Sequence, residues 1–188
     1  YDVPTNYPRY TLAWSDEFNA SSLDNGSWTA ELGDGCPGLC GWGNNELEYY
    51  MAPPSNLFFQ DGKMIIEAGA ESYAGKNYTS SRIKTAGKKV FKFGRVDIRA
   101  ILPKGKGIWP AFWMLPQDNV FGGWPQSGEI DIMELVGHEP DKSHSTLHYG
   151  PGPGSITNSK SYTLAGATFN DQFHVFSMIW EEDQLRFY

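Results

Sequence analysis

The chain has 188 residues, the length of one domain with room for a substantial core. Its 40% apolar and 20% charged residues are ordinary for a globular protein, but 15% aromatics, with seven Trp and ten Tyr, is rich. A net charge of −7 with no basic run excludes nucleic acid and anionic membrane as partners, and disfavours a sulfated polymer.

No window reaches transmembrane length and the first residues do not form a signal peptide, so the expectation is a mature form whose leader has been removed. Residues 1–188 read as a single domain, with neither linker nor internal repeat. Short strand-like runs recur between turn signals, the pattern of an antiparallel sandwich or barrel. Thr11-Leu12-Ala13-Trp14 is the first such run. Cys36 and Cys40, the only cysteines, lack a further Cys or His at metal-site spacing. That favours a short-loop disulfide over zinc, and with it an oxidising, secreted setting. Glu46 to Tyr50 alternates as a strand, and Asp61-Gly62 is a hairpin turn signal. Thr79 to Ala86 is polar and β-prone; taken alone, its Arg82 reads as a surface charge.

Arg95 to Leu102 alternates cleanly, with Val96, Ile98, Ala100 and Leu102 inward. Gly107 to Leu115 is nearly all apolar. Trp109 and Trp113 share a face there, and pattern alone favours a core cluster over a sugar platform. Ser143 to Tyr149 carries His144 and His148, the latter by itself a structural histidine. A Pro-Gly-Pro-Gly loop at 151–154 breaks the chain, Phe173 to Trp180 forms another strand, and Gln184 to Tyr188 a last one.

The stretch Trp124-Pro125-Gln126-Ser127-Gly128-Glu129-Ile130-Asp131-Ile132-Met133-Glu134 organises the rest. Glu129, Ile130, Asp131 and Ile132 alternate acidic and aliphatic, as on a strand with one polar and one apolar face. Strict alternation would put Glu134 on the apolar face, a costly place for a charge. One extra residue, a β-bulge at Ile132 or Met133, rotates Glu134 back beside the other two carboxylates. Glu129 and Glu134 are then roughly 13 Å apart at the backbone. Leaning inward, their carboxyl groups could approach the 5–5.5 Å or so of a retaining glycosidase. Three carboxylates so close cannot all ionise cheaply, so one holds its proton near neutral pH. The expectation places that proton on Glu134, with Asp131 sharing one with Glu129. From the stretch alone, a solvated acidic face and a cation site remain the alternatives.

Trp14-Ser15-Asp16-Glu17-Phe18, Gly41-Trp42-Gly43-Asn44-Asn45-Glu46, Thr79-Ser80-Ser81-Arg82-Ile83, Gly107-Ile108-Trp109-Pro110-Ala111-Phe112-Trp113-Met114 and Gly128 to Glu134 occur in that order. Together they resemble glycoside hydrolase family 16, in its laminarinase-type branch, over nearly the whole chain. The resemblance implies an all-β jelly-roll sandwich of two antiparallel sheets with a concave substrate cleft. It implies endo-acting, retaining cleavage of β-1,3-glucan, with Glu129 as nucleophile, Glu134 as acid/base and Asp131 as the assisting carboxylate. Trp109, Trp113, Trp124, Asn44, Arg82 and His148 would line the glycone subsites. No catalytic cofactor is implied, but a structural calcium is, with Glu17 and the Gly62 carbonyl among its ligands. Family members run on past the segment like Leu185-Arg186-Phe187-Tyr188, so a further segment or a second chain is expected to complete the sheets. Mixed-linkage glucanase, agarase and carrageenase activities share the carboxylate triad and stay open, as does a non-catalytic β-glucan recognition protein.

Overall fold

The computed structural model describes residues 2–4, 6–152 and 154–188. Pro153, in the predicted Pro-Gly-Pro-Gly loop, lies outside them. The fold is all-β, with a single 3-10 turn at Cys40–Gly43 as its only helical element among the described residues. Contacts divide the chain into two compact units, Ala13–Val90 and the combination of Tyr1–Leu12 with Phe91–Tyr188.

The first unit holds six short strands: β1 (Thr29–Glu31), β2 (Glu48–Tyr50), β3 (Leu57–Gln60), β4 (Lys63–Ile66), β5 (Tyr78–Ser80) and β6 (Arg82–Lys84). The Asp61-Gly62 turn joins β3 to β4 with both residues at positive φ, as its sequence predicts. β1 pairs antiparallel with β6, whereas β2 pairs with β5 in parallel, a departure from the all-antiparallel expectation. Between β2 and β5 the chain makes the β3–β4 hairpin before returning, and that long connection is what a parallel pair requires. Cys36 and Cys40 are disulfide-bonded in the loop before β2. The predicted run at 11–14 joins no ladder.

The second unit is a sandwich. One sheet has the order β11 (Ile156–Thr163), β10 (Lys142–Tyr149), β9 (Glu129–Leu135), β8 (Ala111–Met114); the other has β13 (Leu185–Phe187), β12 (His174–Trp180), β7 (Gly94–Ala100). All their pairings are antiparallel. Met133 and Leu135 of β9 meet Phe176 of β12, with Leu102 and Phe169 from the connecting segments, in one buried cluster. Phe112 of β8 lies 5.9 Å, ring to ring, from Phe176, so the aromatic contact also spans the two sheets. Burying each such side chain is worth about 1.5–3 kcal/mol, which fixes the phase of β9.

That phase requires the bulge. Thr146 opposes Asp131 and His144 opposes Glu134, so on the β10 side Ile132 and Met133 together face Ser145. On the β8 side Trp113 opposes Asp131 and Phe112 opposes Met133, leaving Ile132 as the extra residue. With one residue inserted, Met133 and Leu135 enter the core while Glu134 returns to the face that carries Glu129 and Asp131.

Candidate active site

Each carboxylate on β9 has a neighbour of matching parity on β10. His148 opposes Glu129, Thr146 opposes Asp131 and His144 opposes Glu134. The next strand repeats the row, with Thr157, Ser159 and Ser161 of β11 opposite His148, Thr146 and His144. All three outer hydroxyls bond inward: Thr157 to His148 Nδ1 at 3.2 Å, Ser159 to the Thr146 hydroxyl at 3.1 Å and Ser161 to His144 Nδ1 at 2.9 Å.

Tryptophans hold the two ends of the carboxylate row. The Trp124 indole N–H donates to Glu129 Oε2 at 2.5 Å. The Trp109 indole N–H donates to Glu134 Oε1 at 3.0 Å, and the Thr146 hydroxyl lies 3.5 Å from Glu134 Oε2. The loop carrying Trp109 is pinned to the end of β9, since the Gly105 N–H donates to the Gly137 carbonyl at 2.8 Å and the Gly137 N–H to the Ile108 carbonyl at 2.8 Å. A Cβ on Gly137 would lie 2.3 Å from the Gly105 oxygen, so only glycine permits this approach.

Trp109 and Trp113 are 52% and 37% exposed, which corrects the core reading that pattern alone favoured. An apolar run cannot reveal that a ring stays on the open face because its N–H is engaged by a carboxylate.

Asp131 sits between the glutamates and is only 3% exposed. Burial above all, then the charges of Glu129 and Glu134, push its carboxyl up to about 8, and a hydrogen bond to Glu129 acts in the same direction. At neutral pH Asp131 therefore holds a proton and shares it with Glu129. A proton shared between Asp131 and Glu129 is what the sequence leads one to expect. His148 Nε2 lies 3.2 Å from Asp131 Oδ2, and its ring is 6.0 Å from that of Trp124. So arranged, the row offers a nucleophile, a proton donor and a carboxyl that shares a proton between them.

Seven of the nine residues expected to carry catalysis or bind substrate thus lie in this unit: Glu129, Asp131, Glu134, Trp109, Trp113, Trp124 and His148. Asn44 and Arg82 belong to the other. There Arg82 pairs with Glu31 and lies 4.5 Å over the Trp42 ring, an engaged cation instead of the surface charge it suggests in isolation. Asn44 closes the 3-10 turn, its N–H donating to the Gly41 carbonyl at 3.0 Å. Thr146 and the β11 hydroxyls are absent from the expectations. The alternation of His144, Thr146 and His148 on one face is legible in sequence, but their contact with β11 is not.

A calcium needs six to eight oxygen ligands. Glu17 and Gly62 are both exposed, and among the described residues no three acidic, histidine or cysteine side chains converge on a metal position. The residues present do not by themselves fit the ion.

The family model of glycosyl hydrolases family 16 matches residues 47–188. The chain is 42% identical to glucan endo-1,3-beta-glucosidase A1 of Niallia circulans, covering 94% of this chain and 28% of that protein. It is 41% identical to the beta-glucanase of Rhodothermus marinus, over 96% of this chain and 63% of the relative, and so spans less than two thirds of either. Among solved structures, the laminarinase catalytic domain from Thermotoga maritima superposes with a TM-score of 0.85 at 43% identity, covering 95% of this chain and 73% of that one. Sequence, fold and the bulged carboxylate strand agree: the chain belongs to glycosyl hydrolases family 16.

Proposed function

We propose that this chain is the catalytic part of an endo-acting, retaining glycoside hydrolase that cleaves β-1,3-glucan of the laminarin type. The observation that carries the reading is the bulged strand, with Glu129 and Glu134 on one face and an indole N–H held on each. Two of the matched proteins are named for endo-1,3-β-glucan or laminarin cleavage, which supports the linkage.

In the first step a Glu129 oxygen bonds to the anomeric carbon as the glycosidic bond breaks, and Glu134 gives its proton to the departing oxygen. In the second, water adds to the same carbon, passes a proton to Glu134 and restores the Glu129 carboxylate. The Asp131–Glu129 hydrogen bond loses its charged acceptor once Glu129 is esterified, so Asp131 serves to orient the nucleophile in the free state. Exposed Trp113 and Trp124 offer flat faces to pyranose rings, and His148 holds Asp131 from the β10 side. A part for Asn44 and Arg82 in glycone recognition rests on family resemblance alone.

Reducing-sugar release from laminarin, followed by NMR of the first anomer, tests the reading. The β anomer should appear first; an α product, or no release at all, overturns it. Retention of both Glu129 and Glu134 weighs against a non-catalytic glucan binder, which would need neither. An extracellular setting is proposed from the Cys36–Cys40 disulfide; activity confined to cell lysate would contradict it. A structural calcium at Glu17 and Gly62 rests on family resemblance alone, and an unchanged melting temperature in chelator would remove it.

A further inference from the structure

Beside Glu134 lies a recess of about 250 Å³ lined by Trp109, Glu134, Val136, His144, Thr146 and Ser159. It opens from the proton donor across β10 to β11, away from the Trp124 end of the row. A second recess of about 430 Å³ adjoins it and shares Trp109 and Val136. Two side chains in the first recess have bonding capacity to spare. His144 has its Nδ1 taken by Ser161, so Nε2 is the nitrogen left for a ligand. Ser159 bonds Thr146, and Thr146 reaches Glu134, so a hydroxyl line runs from the outer strand to the proton donor.

We infer that His144, oriented by Ser161, and Ser159 bind the sugar unit on the leaving side of the scissile bond. The inference rests on Glu134 being the acid/base of the proposed reaction. The sugar whose oxygen receives the Glu134 proton must sit against Glu134, and this recess is the built space there. Ring hydroxyls of a neutral hexose match a free imidazole nitrogen and a serine oxygen that, with its own proton held by the Ser145 carbonyl or Thr146, can still accept a hydrogen bond. Trp109, already fixed to Glu134, supplies an apolar wall. After the leaving sugar departs, the recess admits either water or a sugar hydroxyl, so the same side chains bias the glycosyl-enzyme between hydrolysis and transfer.

The test compares two substrates on the same chain, a laminari-oligosaccharide and an aryl β-laminaribioside whose leaving group is a phenol and not a sugar. His144→Ala should lower kcat/KM on the oligosaccharide about tenfold more than on the aryl glycoside, the scale of one good hydrogen bond. Ser161→Ala should act in the same direction but less, because it orients His144 without touching sugar. His144→Gln, which keeps a donor and an acceptor, should recover part of the loss. With added laminaribiose, His144→Ala should also shift products from transfer towards hydrolysis. Equal losses on both substrates, or an unaltered transfer ratio, overturn the subsite while leaving the glucanase reading intact. An unsubstituted chain inactive on both substrates overturns the reading itself, and the subsite with it.

Discussion

Asp131 is the residue on which the site's electrostatics turn. Its carboxyl titrates at about 8 when folded, against an ordinary value of 3.8. Between those values the folded state binds the extra proton, so this contribution to stability is full below the ordinary carboxyl range and is lost as pH rises through 8. Asp131→Asn cannot ionise and should escape that loss. Its melting temperature relative to the unsubstituted chain should rise as pH goes from 5 to 8.5, and a constant difference would contradict the assignment. The amide no longer shares an acidic proton with Glu129, so turnover should fall at least tenfold while laminarin binding stays within about twofold. Glu129→Ala should abolish turnover, since no covalent intermediate can form. That Asp131, set between two glutamates, must share a proton is legible from their spacing; how firmly it holds that proton is not. Burial decides it, and the depth of Asp131 depends on Trp113 and Thr146, which reach it from other strands.

At the scale of the strand, the bulge makes a sharp prediction about Met133. In a regular strand Met133 would share the carboxylate face, and trimming it would affect catalysis more than stability. As found it is 1% exposed within the core, so Met133→Ala should cost about 2–5 kcal/mol in urea unfolding. Gly137→Ala should behave differently. Its new methyl would strike the Gly105 oxygen and push away the loop that delivers Trp109, costing about 1–3 kcal/mol and lowering turnover as well. The bulge can be read from sequence because parity alone forces it: Glu134 is one step out of phase with Glu129 and Asp131. β11 is invisible by the same logic, since Ile156–Thr163 is exposed along its whole length and carries no apolar period to detect. Its alternate hydroxyls are ordered by pairing with β10, a long-range fact. β1 is too short, at three residues, for periodicity to mark it.

For the whole molecule, the acidic balance has a measurable consequence. A net charge of −7 gives no electrostatic attraction to a neutral polymer, so laminarin affinity should change less than about twofold between 50 mM and 500 mM NaCl. A strong fall with salt would mean a charged ligand. The all-β architecture and the polar face of β9 follow from alternation and turn residues that are local in sequence. The parallel β2–β5 pair and the partition into two compact units depend on contacts between distant segments, which no local window records.

The two indole N–H groups that end on Glu129 and Glu134 also make the site visible from outside. Indole emission responds to the charge nearest the ring, and Trp109 and Trp124 each face one glutamate carboxyl directly. On the proposed mechanism, esterification of Glu129 removes the charge beside Trp124, and in the same step Glu134 gives up its proton, so a charge appears beside Trp109. Stopped-flow fluorescence with an aryl glycoside should therefore report formation and decay of the covalent intermediate without a label. Trp124→Phe should remove the part of that signal that follows Glu129, and Trp109→Phe the part that follows Glu134.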